Sequence, residues 1–183
     1  MPGLKSKGNY MSFSLTHASI APFIRTLDAL GVILDKAAAH AAAKKFDAAN
    51  LVGARLIADM LPLARQIMIA TDQAKNGTAR LAGVEPPKFE DNETTLEQLK
   101  ERLAKTAAFL KTLDAKAIDA ATDREIVFPV GPNKMKMKGG DYLVGFVLPN
   151  FYFHATMAYA LLRQNGVDVG KRDFLGAIPA TPA

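Results

Sequence analysis

Apolar residues recur at intervals of three and four along this sequence, and that spacing gathers them on one face of an α-helix. The pattern predicts a first helix over residues 15–43 and a second over residues 48–81. Pro62 lies inside the second stretch and is expected to kink it. The repeating apolar residues are Ile20, Phe23, Ile24, Leu27, Leu30, Leu34 and Ala37 in the first helix, and Leu56, Met60, Leu63, Ile67, Ala70 and Ala74 in the second.

A third helix is predicted to begin at Thr94. Thr94 and Glu97 have the spacing of a capping box, in which each side chain binds a free backbone N–H at the start of the helix. The apolar face that follows carries Leu96, Leu99, Leu103, Ala107, Leu110 and Leu113.

Residues 124–138 alternate or are β-branched on either side of a Gly-Pro-Asn-Lys turn at 131–134, which predicts a small β-hairpin. Its three lysines, Lys134, Lys136 and Lys138, are expected on one strand face. A fourth helix is predicted from Asp141 to about residue 165. The fold class is therefore all-α, a four-helix bundle with a small β-hairpin between helices 3 and 4.

The fourth helix has no Asp, Glu, Lys or Arg from residue 142 to residue 162. That length could span a bilayer, but Pro149, Asn150, His154 and Thr156 interrupt the apolar run. A helix that is apolar all round is typical of one that is buried all round. One face would meet the bundle core and the other the hairpin or a second subunit, so we predict a homodimer and no membrane span.

Composition restricts the class of protein. The 183 residues fit one domain, predicted over residues 12–183, with residues 1–11 as a flexible N-terminal arm. Cysteine is absent, which excludes disulfides, thiolate metal sites and cysteine nucleophiles, and agrees with a cytoplasmic location. The net charge of +5 comes from scattered basic residues, so we expect no nucleic-acid binding.

Motif searches leave little room for familiar catalysis. The sequence has no G-x-S-x-G, no H-E-x-x-H and no Rossmann fingerprint. His154 stands in the middle of the apolar fourth helix. A lone histidine there is more often a hydrogen-bonded core residue than a metal ligand, and both readings stay open on the residues alone.

Several stretches resemble a bacterial family of unknown function in the DinB/YfiT-like metalloenzyme superfamily. They include LPNFYFH at 148–154 and LLRQNG at 161–166, and the others are 53–56, 59–66, 79–89, 123–126 and 170–176. The resemblance implies a DinB-like four-helix bundle, often dimeric, with a metal site between helices in the better-known relatives.

Those relatives carry one histidine on the second helix and an H-x-x-x-H pair on the fourth. By this resemblance the pair falls on Asn150 and His154, and the second-helix position on Gln66, with Asp59 as an alternative. Residues four apart share a helix face, so Asn150 and His154 point the same way. One imidazole and two amides form a poor ligand set for Zn²⁺ or Ni²⁺, so the sequence predicts a degenerate metal site.

Two functions of different classes follow. The first is a non-catalytic bundle that binds a small molecule near His154, in a pocket lined by Phe146, Phe151, Tyr152 and Tyr159, although core packing also explains these aromatic residues. The second is a metal-dependent transferase or hydrolase acting on a small molecule, with zinc or nickel held partly by His154.

Overall fold

The structure is a computed structural model that describes residues 14–181. The predicted N-terminal arm, residues 1–11, lies outside the described residues. The helices and strands of the described part are α1 (Leu15–Lys44), α2 (Ala49–Val52), α3 (Leu63–Ala82), α4 (Leu96–Leu110), α5 (Ala115–Asp119), β1 (Glu125–Val130), β2 (Asn133–Lys138), α6 (Gly139–Tyr142), a π-helical turn (Leu143–Val147), α7 (Leu148–Gln164) and α8 (Lys171–Leu175).

Four long helical segments form the bundle. Helix α1 packs against α4, α4 against α3, α3 against α7, and α7 returns to α1. The predicted face of α1 supplies much of the core, where Phe23, Leu27, Leu30 and Leu34 are at most 2% exposed. Burying each such side chain contributes about 1.5–3 kcal/mol. The predicted all-α bundle, with its hairpin between the third and fourth long helices, is confirmed.

The predicted second helix is wrong in its first half. Helix α2 ends at Val52, residues 53–62 form a loop, and α3 begins only at Leu63. Pro62 stands immediately before α3 with an extended backbone, because its ring would clash with a helical carbonyl four residues earlier. Leu56, assigned to the apolar seam, is 43% exposed on the loop.

The capping box of the third helix lies one residue later than predicted. Thr95 is the N-cap, and its hydroxyl accepts a hydrogen bond from the backbone N–H of Gln98 at 3.2 Å. The Gln98 side chain accepts from the N–H groups of Thr95 and Thr94, at 3.1 and 2.7 Å. The glutamine therefore takes the role that we assigned to Glu97.

The hairpin pairs β1 and β2 in the antiparallel sense, and its loop is Gly131-Pro132, shorter than predicted. Gly131 has φ of +56°, as the first central residue of such a tight turn requires. The three lysines of β2 stand at alternate positions and so share one face, as predicted. The opposite face buries Ile126 and Phe128.

The fourth long helix is continuous from Gly139 to Gln164 but contains the π-helical turn. The turn ends just before Pro149, which has no N–H to donate and would crowd the carbonyl of Gly145 in a regular α-helix. Helix α3 approaches the turn closely, since a Cβ atom added to Gly77 would lie 2.5 Å from Cγ1 of Val147.

Within residues 14–181, α1 is the one helix that is long and apolar enough to cross a membrane by length and composition. Half of its most apolar window is buried inside the protein, as in the core helix of a bundle.

Candidate functional site

Gln66 of α3 and His154 of α7 meet where the two helices pack together. Oε1 of Gln66 lies 2.7 Å from Nδ1 of His154. Gln66 is 2% exposed, and His154 is half-buried. The structure therefore brings together the two residues that the sequence assigned to this position on the second and fourth helices.

The hydrogen bonds of Gln66 fix the tautomer of His154. Nε2 of Gln66 donates to the carbonyl oxygen of Leu61 at 3.0 Å, so the oxygen of the amide faces the imidazole. An amide oxygen only accepts, so Nδ1 of His154 carries the proton and Nε2 keeps its lone pair. Burial lowers the pKa of His154, which favours this neutral form.

The second imidazole nitrogen is open. Within residues 14–181 no hydrogen bond reaches Nε2 of His154, and every fully buried side-chain nitrogen or oxygen of that part has a partner. Nε2 is therefore in contact with solvent. It is a neutral hydrogen-bond acceptor at the edge of an apolar helix face.

Asn150 lies one turn before His154 and is half-buried. Its Nδ2 donates to the carbonyl oxygen of Phe146 at 2.7 Å, a carbonyl inside the π-helical turn. Among the described residues no hydrogen bond joins Asn150 to His154 or Gln66. Its amide supports the irregular turn, and only its oxygen remains for another partner.

Asp59 lies on the exposed loop before α3, outside any helix. Its placement follows from the late start of α3 at Leu63, because the loop replaces the turn that we expected to carry this carboxylate toward the bundle. In the part of the chain that the structure describes, no group of three His, Cys, Asp or Glu side chains could hold a metal ion.

The donor chemistry does not fit a zinc or nickel centre. Both polar atoms of the Gln66 amide are bound, to His154 and to Leu61, and the nitrogen of Asn150 is bound to Phe146. One imidazole nitrogen and one amide oxygen are left. These metals require three or four imidazole, thiolate or carboxylate ligands.

The comparisons with known proteins agree with this architecture. The family model described as "Domain of unknown function (DUF1993)" matches residues 15–175, which hold the whole bundle. The chain belongs to the DUF1993 family. A comparison with curated proteins finds none that matches.

A solved structure shows the same fold. It is the crystal structure of a DinB family member protein from Shewanella denitrificans, with 39% sequence identity and a TM-score of 0.86. The match covers 92% of this chain and 96% of that chain. The DinB-like resemblance inferred from the sequence is confirmed.

The four predicted pocket aromatics are spread along the fourth helix of this DUF1993 bundle. The ring of Phe146 packs on Phe128 of the hairpin at 4.6 Å between centroids, and Tyr159 packs on Phe174 of α8 at 5.7 Å. Phe151 is fully buried, with Phe23 at 4.5 Å and Tyr152 at 5.1 Å. Most of their ring surface is thus engaged in packing.

Sequence reasoning missed Phe153, whose ring meets that of His154 edge-on at 5.1 Å. Phe153 is 53% exposed, so it stands beside the open imidazole nitrogen on the surface of the bundle. The signal was present in the sequence, since an aromatic residue next to a helical histidine leaves on a neighbouring face.

A second polar cluster, around Arg102 of α4, was also missed. Arg102 is 2% exposed, and its guanidinium binds Thr71 and Asp72 of α3 and Asp91 and Glu93 of the loop before α4, all at 2.7–2.9 Å. Burial alone would lower its pKa, but the hydrogen bond to Glu93 and the neighbouring carboxylates raise the pKa above its usual value. Its place between Leu99 and Leu103 on the predicted apolar face was the available signal.

Proposed function

We propose that this DUF1993 chain is a non-catalytic bundle that binds a small polar molecule at His154. The observation that carries the proposal is the Gln66–His154 hydrogen bond of 2.7 Å, because it fixes Nδ1 as the protonated nitrogen. Nε2 is then a fixed acceptor for an N–H or O–H group of a ligand. The adjacent ring of Phe153 supplies an apolar contact.

Pre-organisation supports this proposal. The amide of Gln66 is held at both ends, so the imidazole does not change tautomer or rotate freely when a ligand arrives. A site whose groups are already oriented binds with a smaller entropic cost. The oxygen of Asn150, one turn away on the same face, is a second acceptor for the same ligand.

Ligand binding is tested by an NMR screen of small alcohols, phenols and amides against the chain labelled with ¹⁵N-histidine. We expect some compounds to shift the Nε2 signal of His154 and to lose their effect on a His154→Phe variant. His40, a half-buried histidine of α1, gives the matched control variant His40→Phe. If no compound moves the His154 signal at millimolar concentration, the proposal fails.

The second candidate is a metal-dependent transferase or hydrolase that acts on a small molecule. It is supported by the DinB-like fold and by the free lone pair of His154, the form in which an imidazole binds metal. The bound amides of Gln66 and Asn150 weigh against it.

Metal analysis of the purified chain separates the two candidates. The enzyme requires zinc or nickel near one equivalent, removed by His154→Ala and retained by His40→Ala. The binding bundle predicts no stoichiometric metal. It also predicts that added zinc leaves the ¹⁵N signals of His154 unchanged at concentrations that saturate an imidazole site of three ligands.

The partner and location predictions stand beside this proposal. We infer a homodimer from the uncharged fourth helix, and no nucleic-acid or membrane partner from the scattered basic residues and the packed helices. The absence of cysteine supports a cytoplasmic location. Sedimentation, filter binding to duplex DNA and RNA, and vesicle flotation test the partner predictions.

A further inference from the structure

One side of the fourth long helix is exposed along its whole length. The exposed residues between the two ends are Val144, Gly145, Pro149, Phe153 and Thr156, followed by the half-buried Ala160. Val144 is 59% exposed and Phe153 is 53% exposed. We call the surface of these six residues the α7 stripe.

The π-helical turn shapes the α7 stripe. It contains one residue more than an α-helical turn, so the step along the exposed line from Val144 to Pro149 is five residues. From Pro149 onward the line continues in steps of three and four through Phe153, Thr156 and Ala160. The apolar line therefore stays on one side of a helix that includes an irregular turn.

Charges of opposite sign close the two ends of the stripe. Asp141, exposed, precedes it, and Arg163, whose side chain is 58% exposed, follows it. Within residues 14–181 Asp141 has no ion-pair partner, while Arg163 has only the fully exposed Asp168 at 3.8 Å. Such an exposed pair contributes little stability and is easily exchanged.

This order of features is complementary to itself in the antiparallel direction. With a two-fold axis next to Phe153, Gly145 lies opposite the partner's Ala160, and Pro149 lies opposite the partner's Thr156. The same register brings Asp141 beside the partner's Arg163 at both ends. Small residues then meet small residues, and each charge meets its opposite, as in an isologous interface with an apolar centre and a polar rim.

We propose that the α7 stripe is the surface on which a second copy of this chain binds, with the two fourth helices antiparallel and Phe153 at the axis. The pair of Phe153 rings is the anchor of the contact. Because Phe153 also lies against His154, the partner's helix forms one wall beside the open imidazole nitrogen.

The size of the stripe predicts how tight this dimer is. The helix from Asp141 to Arg163 is about 35 Å long, so a strip about 10 Å wide buries roughly 700 Å² in a pair. The adjoining hairpin adds Met135, which is 50% exposed. Interfaces of this size belong to weak complexes, so we expect a monomer–dimer equilibrium that depends on concentration.

Sedimentation equilibrium of the full chain, from micromolar to hundreds of micromolar, tests the surface. Phe153→Glu places two carboxylates at the axis, and we expect it to raise the dimer dissociation constant at least about tenfold. The matched control is Val32→Glu on the outer face of α1, because Val32 is also 53% exposed. Circular dichroism of both variants verifies that the bundle is folded.

Single cysteines test the direction, since the natural chain has none. A mixture of Gly145→Cys and Ala160→Cys chains should form an intermolecular disulfide under mild oxidation, whereas neither variant should link to itself. Two Ala160 positions lie about 22 Å apart along antiparallel helices, far beyond the Cα separation of about 7 Å that a disulfide allows. Gly145 has room for the side chain, because an added Cβ meets only Cε of Met137 at 3.5 Å.

Each other outcome overturns the proposal. A chain that is monomeric at every concentration has no such interface, and a dimer broken by Val32→Glu but not by Phe153→Glu uses α1 instead. Self-linking of Ala160→Cys alone means parallel helices. A monomer that binds phosphatidylcholine vesicles through Phe153 assigns the stripe to lipid. None of these measurements depends on a ligand of His154, so the proposed function can fail or succeed separately.

Discussion

Helix α3 contributes to two polar clusters on different faces, and they differ in one respect that decides their roles. Toward α4, all three nitrogens of the Arg102 guanidinium have hydrogen-bond partners. Toward α7, Gln66 occupies one nitrogen of His154 and leaves the other without a partner among the described residues. A saturated cluster can only stabilise the fold, whereas an open acceptor can also bind something else.

The Arg102 cluster fastens the long loop between α3 and α4. Buried Lys75 donates to the carbonyl oxygen of Pro87 at 2.7 Å and lies 4.1 Å from the centre of the Phe89 ring. Asp91 has φ of +55°, and its carboxylate joins the same guanidinium as Glu93. The loop is therefore held by buried charges, while little more than one amide holds His154.

The largest expected effect sharpens this comparison at the saturated cluster. Arg102→Met should lower the free energy of unfolding by about 3–5 kcal/mol, because Asp72, Asp91 and Glu93 lose their shared cation. Urea denaturation followed by circular dichroism measures the change. Lys105→Met, on the exposed side of the same helix, should change it by less than about 0.5 kcal/mol. A loss below about 1 kcal/mol for Arg102→Met would show that the cluster is not structural.

A smaller effect is expected when one acceptor of that cluster is weakened. Glu93→Gln keeps the shape of the side chain but removes the charge that meets Nη1 of Arg102 at 2.9 Å. Hydrogen bonds to charged groups contribute roughly 2 kcal/mol, and we expect a loss of about that size in urea denaturation. Glu90→Gln, on the exposed part of the same loop, is the control. Equal effects of the two variants would contradict the special position of Glu93.

At the open cluster, Gln66→Leu should lower stability by about 1 kcal/mol, because Nδ1–H of His154 and the carbonyl oxygen of Leu61 lose their partner. It should also free the imidazole to exchange tautomers. The ¹⁵N shifts of His154, which distinguish Nδ1–H from Nε2–H, report that change. Gln73→Leu on the same helix should leave these shifts as they are, and an unchanged tautomer in Gln66→Leu would remove the basis of the proposed site.

The smallest effect concerns pH. Burial lowers the pKa of His154 in the folded chain, so the unfolded chain binds its proton more readily. Stability contributed by the neutral imidazole is present above the unfolded pKa of about 6.5 and is lost as pH falls toward the lower folded value. Thermal unfolding at pH 8 and pH 5 should therefore show a larger drop for the natural chain than for His154→Phe. The opposite order would mean that His154 is charged in the fold.

Sequence periodicity predicted the bundle because a three- and four-residue spacing of apolar side chains is buried in the same way in almost any helical packing. It failed at residues 48–62, where a proline at the head of a helix has the same spacing as a proline inside one. The late start of α3 moved Asp59 to the surface. It also put the carbonyl of Leu61 where it orients Gln66.

The capping box illustrates a finer limit. Thr94 with Glu97 and Thr95 with Gln98 have the same spacing, and only the path of the chain into α4 selects the second pair. The same holds for Arg102, since a single arginine on an apolar face has no assigned partner until the loop before α4 brings Asp91 and Glu93 to it.

The sequence by itself determined the helical class, the hairpin and the membership of a DinB-like family, because these depend on local spacing and on motifs of adjacent residues. Only the tertiary structure decided which nitrogen of His154 carries the proton and which side of the fourth helix is exposed. Both depend on contacts between residues far apart in the chain, such as Gln66 and His154, whose distance no local pattern fixes.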